Sequence, residues 1–264
     1  MVLCVHGAYD HGRMWDGLAP RLAGLGYRVL CPDVRGHGDS GRLSSGHVWL
    51  ASSLDLAVLA RAEGAPVGLV GHSFGGGQAM FVAAMWPELA RWVVNLDGLG
   101  PAPAAFVERD LVEMATAGLD GAERVRQRPP RVYPTLEEMA DRRQRVNTRL
   151  PRQWVEHMVR HGTVETEGGW RWKVDPLFAV GLPGDFFEDD LLAEQELVTA
   201  PMLVLTGAEH DTWSELSDEE AAARVARIPN ARHHVVAGAG HYVHMEQPDL
   251  VMAEIAAFLA EVGP

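Results

Sequence analysis

Short apolar runs of strand length recur at residues 2–5, 27–31, 67–70, 92–96, 202–205 and 233–236. Those at 2–5 and 67–70 show no polar alternation, as expected of strands covered on both faces. Between the runs lie amphipathic stretches long enough for helices, at 14–24, 47–62, 76–85, 216–226 and 249–261. Strand alternating with helix predicts an α/β fold with a doubly wound, mostly parallel sheet. Pro248 suits the first turn of the last helix, because a proline has no N–H to lose there. Pro87 marks a helix stop just after Met85 and Trp86.

The alternation breaks between Gly100 and Thr199, where Pro101, Pro103, Pro129, Pro130, Pro134 and Pro151 separate helix-like segments from a short aromatic run, Trp170-Arg171-Trp172. An inserted, largely helical cap over residues 101–197 is expected, with residues 1–100 and 198–264 forming the core. Arg142, Arg143, Arg145 and Arg149 follow acidic Glu137, Glu138 and Asp141 on one predicted helix, so they read as a solvated face and not as an anion site. Trp154, Trp170, Trp172, Phe178, Phe186 and Phe187 are gathered in the cap. They either line a mostly apolar pocket or form the core of the cap itself.

Composition narrows the class. A chain of 264 residues, 47% apolar, is long enough for one sizeable core with an insertion. With 23 Lys plus Arg against 36 Asp plus Glu the formal charge is −13, so no basic field is available for a nucleic-acid backbone or an anionic membrane. The only cysteines, Cys4 and Cys31, sit in predicted strands and read as small core residues. No apolar stretch approaches the ~18 residues of a membrane span, and no leader-like N-terminus is seen. A cytoplasmic protein acting on a small molecule is expected.

The run at 67–70 leads directly into Gly71-His72-Ser73-Phe74-Gly75 and then a helical stretch. A serine presented on so sharp a strand-to-helix turn needs glycine two residues to either side, where a side chain would collide with the strand and helix. The 28 Gly and 8 Ser of the chain would give about 0.09 such pentapeptides by chance, so the strand-before, helix-after placement carries much of the signal. Ser73 is the candidate nucleophile. Residues 2–5 end in His6-Gly7-Ala8-Tyr9, a loop at the sheet edge where ligands bind in open α/β sheets. Acyl transfer needs two N–H donors for the developing oxyanion, and the backbones of Ala8 and Phe74 are the candidates, with Tyr9 the alternative to Ala8. His6 reads as a loop-ordering residue.

The succession of His6-Gly7, Trp15, Tyr27-Arg28-Val29, Asp33-Val34-Arg35-Gly36-His37-Gly38-Asp39-Ser40 and the serine turn resembles the α/β-hydrolase superfamily over nearly all of the chain outside 101–199. The segment from Gly168 to Pro176 resembles a cap segment of the serine-hydrolase-like branch. The resemblance implies that the loop from Arg35 to Ser40 is structural, that His241 in Gly238-Ala239-Gly240-His241 is the general base, and that an acid follows the strand before that histidine's. Asp211 stands there and is the expected acid, with Glu209 and Asp97 as competitors. It also implies two further strands ahead of residue 2, where this sequence begins, so either the sheet is trimmed or the start lies upstream.

These parts predict ester hydrolysis through an acyl-enzyme on Ser73. Carbon–carbon bond hydrolysis, lactone opening and cofactor-free perhydrolysis would use the same groups. A hydrolase-fold binding protein with little turnover is the alternative of a different class. Dehalogenases and epoxide hydrolases of the fold require a carboxylate where this chain has Ser73. No cofactor and no metal are expected, since His244 with His241, His6 or His11 forms no recognised ligand pattern.

Overall fold

The computed structural model describes residues 1–43, 49–106, 111–181, 188–214 and 216–263. Six strands make the main sheet: β1 (Val2–Val5), β2 (Val29–Leu30), β3 (Val67–His72), β4 (Ala90–Leu96), β7 (Met202–Gly207) and β8 (Ala231–Val236). Their order is β2-β1-β3-β4-β7-β8, and each neighbouring pair is parallel. The remaining strands, β5 (Thr163–Thr166) and β6 (Gly169–Trp172), form an antiparallel hairpin that contains the predicted aromatic run.

Successive side chains of a strand point to opposite faces, and both faces of this sheet are covered. Leu3, Val5, Leu69, Val93 and Val204 pack on one side with α2 (Trp49–Ala62) and α3 (Phe74–Met85). Val2, Cys4, Val70, Val94 and Leu205 pack on the other with α1 (Ala19–Gly24) and α11 (Pro248–Val262). Both cysteines are free; Cys4 is buried in β1 as expected, whereas Cys31 follows β2 and is half-buried. The helix predicted over 14–24 is split: a 3-10 turn spans Gly12–Trp15, and α1 opens afterwards with Pro20 in its first turn. Proline is tolerated there and nowhere further into a helix.

Between β4 and β7 the chain forms α4 (Leu111–Gln127), α5 (Leu136–Val146), α6 (Arg152–Gly162), the hairpin, α7 (Leu177–Gly181) and α8 (Glu188–Leu197). α5 begins at a Thr135 cap that accepts from the Glu138 amide. Met139, Leu150, Val155, Met158 and Val159 build a separate apolar cluster that rests on Met14, Tyr242 and Met245. After β7 come α9 (Asp218–Val225), closed at its start by a Ser217–Glu220 capping box, and α10 (Val243–Glu246) just before α11. Among the described residues no helix is long and apolar enough to cross a membrane.

Candidate active site

β3 ends and α3 begins within one residue, and that residue is Ser73. Its φ of 53° and ψ of −123° lie outside the conformations an L-residue ordinarily adopts, and its hydroxyl makes no bond to the helix it precedes. The glycines around it are required sterically: a Cβ on Gly71 would lie 2.1 Å from the Gly75 carbonyl oxygen, and one on Gly75 would lie 2.1 Å from that of Val5. The turn is further pinned to the neighbouring strand by the Ser73 amide, which donates to Leu96 O at 2.9 Å. Strain held in place this way is characteristic of functional positions. Among the described residues, the other two non-glycine residues with positive φ, Tyr9 at 62° and Asp97 at 54°, line the same cavity as Ser73.

The loop after β1 is fastened by histidines. His6 Nε2 accepts from the Val34 amide at 2.9 Å, which ties the loop to the segment from Asp33 to Ser40. Asp33 closes that segment on itself: its carboxylate accepts from the amides of Gly12 and Asp39, and its carbonyl accepts from the Ser40 hydroxyl. His37 is fully buried, and its Nε2 accepts from the Tyr9 amide at 3.2 Å. Tyr9 therefore has no free N–H for an oxyanion. Ala8 and Phe74 line the same cavity as Ser73.

His241 is buried at the same cavity, and its Nδ1 donates to Asp97 Oδ2 across 2.6 Å. The expectation for Asp211 is corrected by this geometry. Its Oδ2 accepts from the backbone amide of His241 at 3.2 Å and its Oδ1 from that of Trp213 at 2.8 Å, so the carboxylate is engaged with main chain and does not meet the imidazole. Glu209, the other competitor, is exposed and lies 4.0 Å from Arg149. β4 lies between β3, whose end carries the serine turn, and β7, whose following residues meet the histidine loop where the Glu209 amide donates to Ala239 O at 2.9 Å. The Asp97 backbone is held by Asn95, buried, whose amide oxygen accepts from Gly98 N at 2.8 Å while its nitrogen donates to Gly98 O at 3.0 Å. Asn95 was not singled out from the sequence. Its signal is an asparagine inside an apolar strand two residues before Asp-Gly.

Burial alone would lower the His241 pKa. The Asp97 hydrogen bond and charge, with the charges of Asp211 and Asp10, outweigh burial and raise it above the ordinary histidine value. His72 behaves oppositely. It is buried beneath His241, and burial followed by the charges of His241 and His244 holds its pKa well below the ordinary value, so it is neutral. Its Nε2–H donates to the His241 carbonyl at 3.0 Å. The second residue of the pentapeptide thus supports the histidine loop.

The cavity has a volume of about 260 Å³. Its aromatic walls are Tyr9, Trp49, Phe74 and Trp213, which come from the core side of the chain. Of the cap aromatics considered from sequence, Trp154, Trp170 and Trp172 join the cap cluster, and Phe178 packs against Tyr9 and Phe74 from behind; none of the four lines the cavity. Phe186 and Phe187 lie outside the described residues.

The arginines of α5 and its exit do not form one solvated face. Arg142 pairs on the surface with Glu138, but Arg143 is nearly buried and donates to Asp10 Oδ1 at 2.9 Å and to the Tyr242 hydroxyl at 3.0 Å. Arg149 pairs with Glu246 at 2.8 Å and donates to Gly238 O at 3.0 Å. Both arginines brace the histidine loop.

A serine at a strained turn and a histidine at the same cavity with a carboxylate on its Nδ1 are groups that acyl transfer uses. The profile of the Alpha/beta hydrolase family matches residues 2–254. A putative esterase/lipase of Haemophilus influenzae is 26% identical over 98% of this chain and 83% of its own length. A serine hydrolase-like protein of Danio rerio is 26% identical over 100% of this chain and 82% of its own. The thioesterase domain from the curacin biosynthetic pathway superposes with a TM-score of 0.84 at 23% identity, covering 97% of this chain and 90% of that one, a likeness of fold. With the match running from the first sheet strand into the last helix, the protein belongs to the α/β-hydrolase family and is an enzyme of that fold.

Proposed function

We propose that the protein hydrolyses a carboxylic ester of a small, mostly apolar molecule through an acyl-enzyme on Ser73. The observation that carries this reading is the 2.6 Å pairing of His241 with Asp97 at the cavity onto which Ser73 opens. Ser73 Oγ attacks the carbonyl carbon while His241 Nε2 takes its proton, and Asp97 steadies the imidazolium. The amides of Ala8 and Phe74 receive the negative charge on the carbonyl oxygen. His241 then returns the proton to the departing alkoxide, which leaves as the alcohol. A water attacks the acyl-enzyme and gives its proton to His241, which passes it to the departing Ser73 Oγ as the acid is released.

Residues 1–100 and 198–264 serve in this reading as the catalytic core and 101–197 as the cap. The relatives named esterase/lipase and serine hydrolase-like support the reaction class. The free Cys4 and Cys31 fit a reducing compartment, and the cytoplasm is the location we propose. The test is labelling by a fluorophosphonate together with turnover of p-nitrophenyl esters of rising acyl length. Wild-type protein should be labelled and should favour short to medium acyl chains, as a 260 Å³ cavity allows. Ser73→Ala and His241→Ala should each remove nearly all turnover in a folded protein. A folded Ser73→Ala variant that keeps more than about a tenth of the rate would overturn the reading.

A further inference from the structure

His157 and His161 stand four residues apart on α6, a spacing that puts both rings on one side of the helix. Their ring centres are 4.5 Å apart. Facing them from the turn after β1 is Asp16, and one ligand atom from each of the three residues lies within 4.8 Å of the others. We infer that Asp16, His157 and His161 form a divalent transition-metal site, with Zn²⁺ as the ion it takes, that ties the core turn to the cap helix.

Two imidazoles and a carboxylate are a donor set that zinc accepts, and three protein ligands leave a fourth position for solvent. The distances suit it. Ligands bound at ~2.0–2.2 Å around a tetrahedral ion stand about 3.3–3.6 Å from one another, and His157 Nε2 lies 3.3 Å from Asp16 Oδ2. All three residues are only partly covered, so small rotations can close the remaining edges and an ion can enter from solvent.

The backbones that carry the ligands are fixed relative to each other by buried contacts. His11 Nε2 is bonded to Met158 O at 2.9 Å, a Cβ on Gly17 would lie 3.1 Å from the Trp154 ring, and one on Gly162 would lie 2.9 Å from the His11 ring. The turn and α6 therefore meet without room to slide. Ligands held on such a seam need little reorganisation to bind.

Binding exchanges two existing interactions. Arg13 pairs with the Asp16 carboxylate at 2.6 Å, and His157 Nε2 is bonded to Arg13 O at 3.0 Å. The Arg13 side chain is 57% exposed and can turn into water, and an exposed ion pair of this kind holds little free energy. None of the three ligands lines the Ser73 cavity, so the site is separate from the proposed chemistry.

The test is titration of chelator-treated protein with Co²⁺, followed by its visible absorption and by displacement with Zn²⁺. Wild-type protein should take up one equivalent with an absorption typical of four-coordinate Co²⁺. Asp16→Asn and His161→Ala should each weaken that uptake by at least tenfold, and the His157→Ala/His161→Ala pair should abolish it. Zn²⁺ should raise the thermal midpoint of wild type and leave that of the double variant unmoved, while metal-free ester turnover stays the same in both. Asp16→Asn alters a partly exposed carboxylate, so it keeps the test readable even where a histidine variant folds poorly. Absence of a saturable equivalent in wild type, or uptake equal to wild type's in Asp16→Asn or in the double variant, would overturn the proposal.

Discussion

His241 is held by two aspartates at two different atoms: Asp97 Oδ2 takes the imidazole Nδ1–H at 2.6 Å, and Asp211 Oδ2 takes the backbone amide at 3.2 Å. Their removal should therefore have different consequences. Asp97→Asn leaves the ring in place but disturbs its tautomer and removes the charge facing the imidazolium, so kcat on a p-nitrophenyl ester should fall by about 10⁴-fold, the size seen when a serine-protease triad loses its carboxylate. Asp211→Asn weakens hydrogen bonds that shape a loop. It should cost about 1 kcal/mol of stability, roughly 2–4 °C in melting temperature, and no more than about tenfold in kcat. The opposite ranking, measured on folded variants, would return the orienting role to Asp211.

That difference marks where sequence stops being informative. The strands and the serine turn were legible because each rests on local chemistry, apolar runs and glycines forced by contact, while the histidine loop was legible through the resemblance. Which aspartate meets the imidazole was not, because Asp97 and Asp211 both follow strands at the same sheet edge. Choosing between them requires the positive φ of Asp97 and the Asn95 clamp on Gly98, which a one-dimensional pattern does not display. The cap arginines failed for a similar reason. Adjacent residues on a helix point about 100° apart, so Arg142 reaches water and Arg143 reaches Asp10 although the sequence presents them as one run.

The pH dependence of turnover should follow from the position of His241. Only neutral imidazole can accept the Ser73 proton, so the rate rises with pH as His241 loses its proton. Since Asp97, Asp211 and Asp10 outweigh burial and raise its pKa, the midpoint of kcat/KM should lie above the ordinary value of about 6.5. Asp97→Asn should move the midpoint to lower pH while lowering the plateau. A wild-type midpoint below the ordinary value, on a substrate whose chemical step is limiting, would contradict this assignment.

Asp10 and Arg143 form a buried pair that joins the cap helix α5 to the loop after β1, with Tyr242 of the histidine loop bonded to both. Burial pushes the Asp10 carboxyl upward, and Arg143 opposes that shift. Arg143→Met should leave an uncompensated carboxyl and destabilise the protein by about 3 kcal/mol or more, roughly 6–12 °C in melting temperature. Adding Asp10→Asn should restore more than half of the loss, because the buried charge is then gone. Thermal melts of the wild type, both single variants and the double variant give the coupling directly. Additive losses would mean that the pair acts through packing and not through charge.

Glu194 on α8 is buried, and its Oε1 has no hydrogen-bond partner among the described residues. Burial pushes its pKa up to about 8, whereas in the unfolded chain it titrates near the ordinary glutamate value of about 4.3. Below the unfolded value both states hold the proton and the residue adds no pH dependence. Between the two values the unfolded chain is ionised while the folded one still binds its proton, so unfolding releases a proton and stability falls as pH rises, by up to about 1.4 kcal/mol per pH unit. Above the folded value both states are ionised and the slope ends. Glu194→Gln keeps the shape and removes the ionisation, so it should be close to wild type at pH 4 and more stable by on the order of 3–4 kcal/mol at pH 8. Urea unfolding of both proteins at the two pH values isolates the effect, since other groups that titrate in this range are common to both. A difference between variant and wild type that does not grow with pH would show that Glu194 is ionised, and so solvated or paired, in the folded protein.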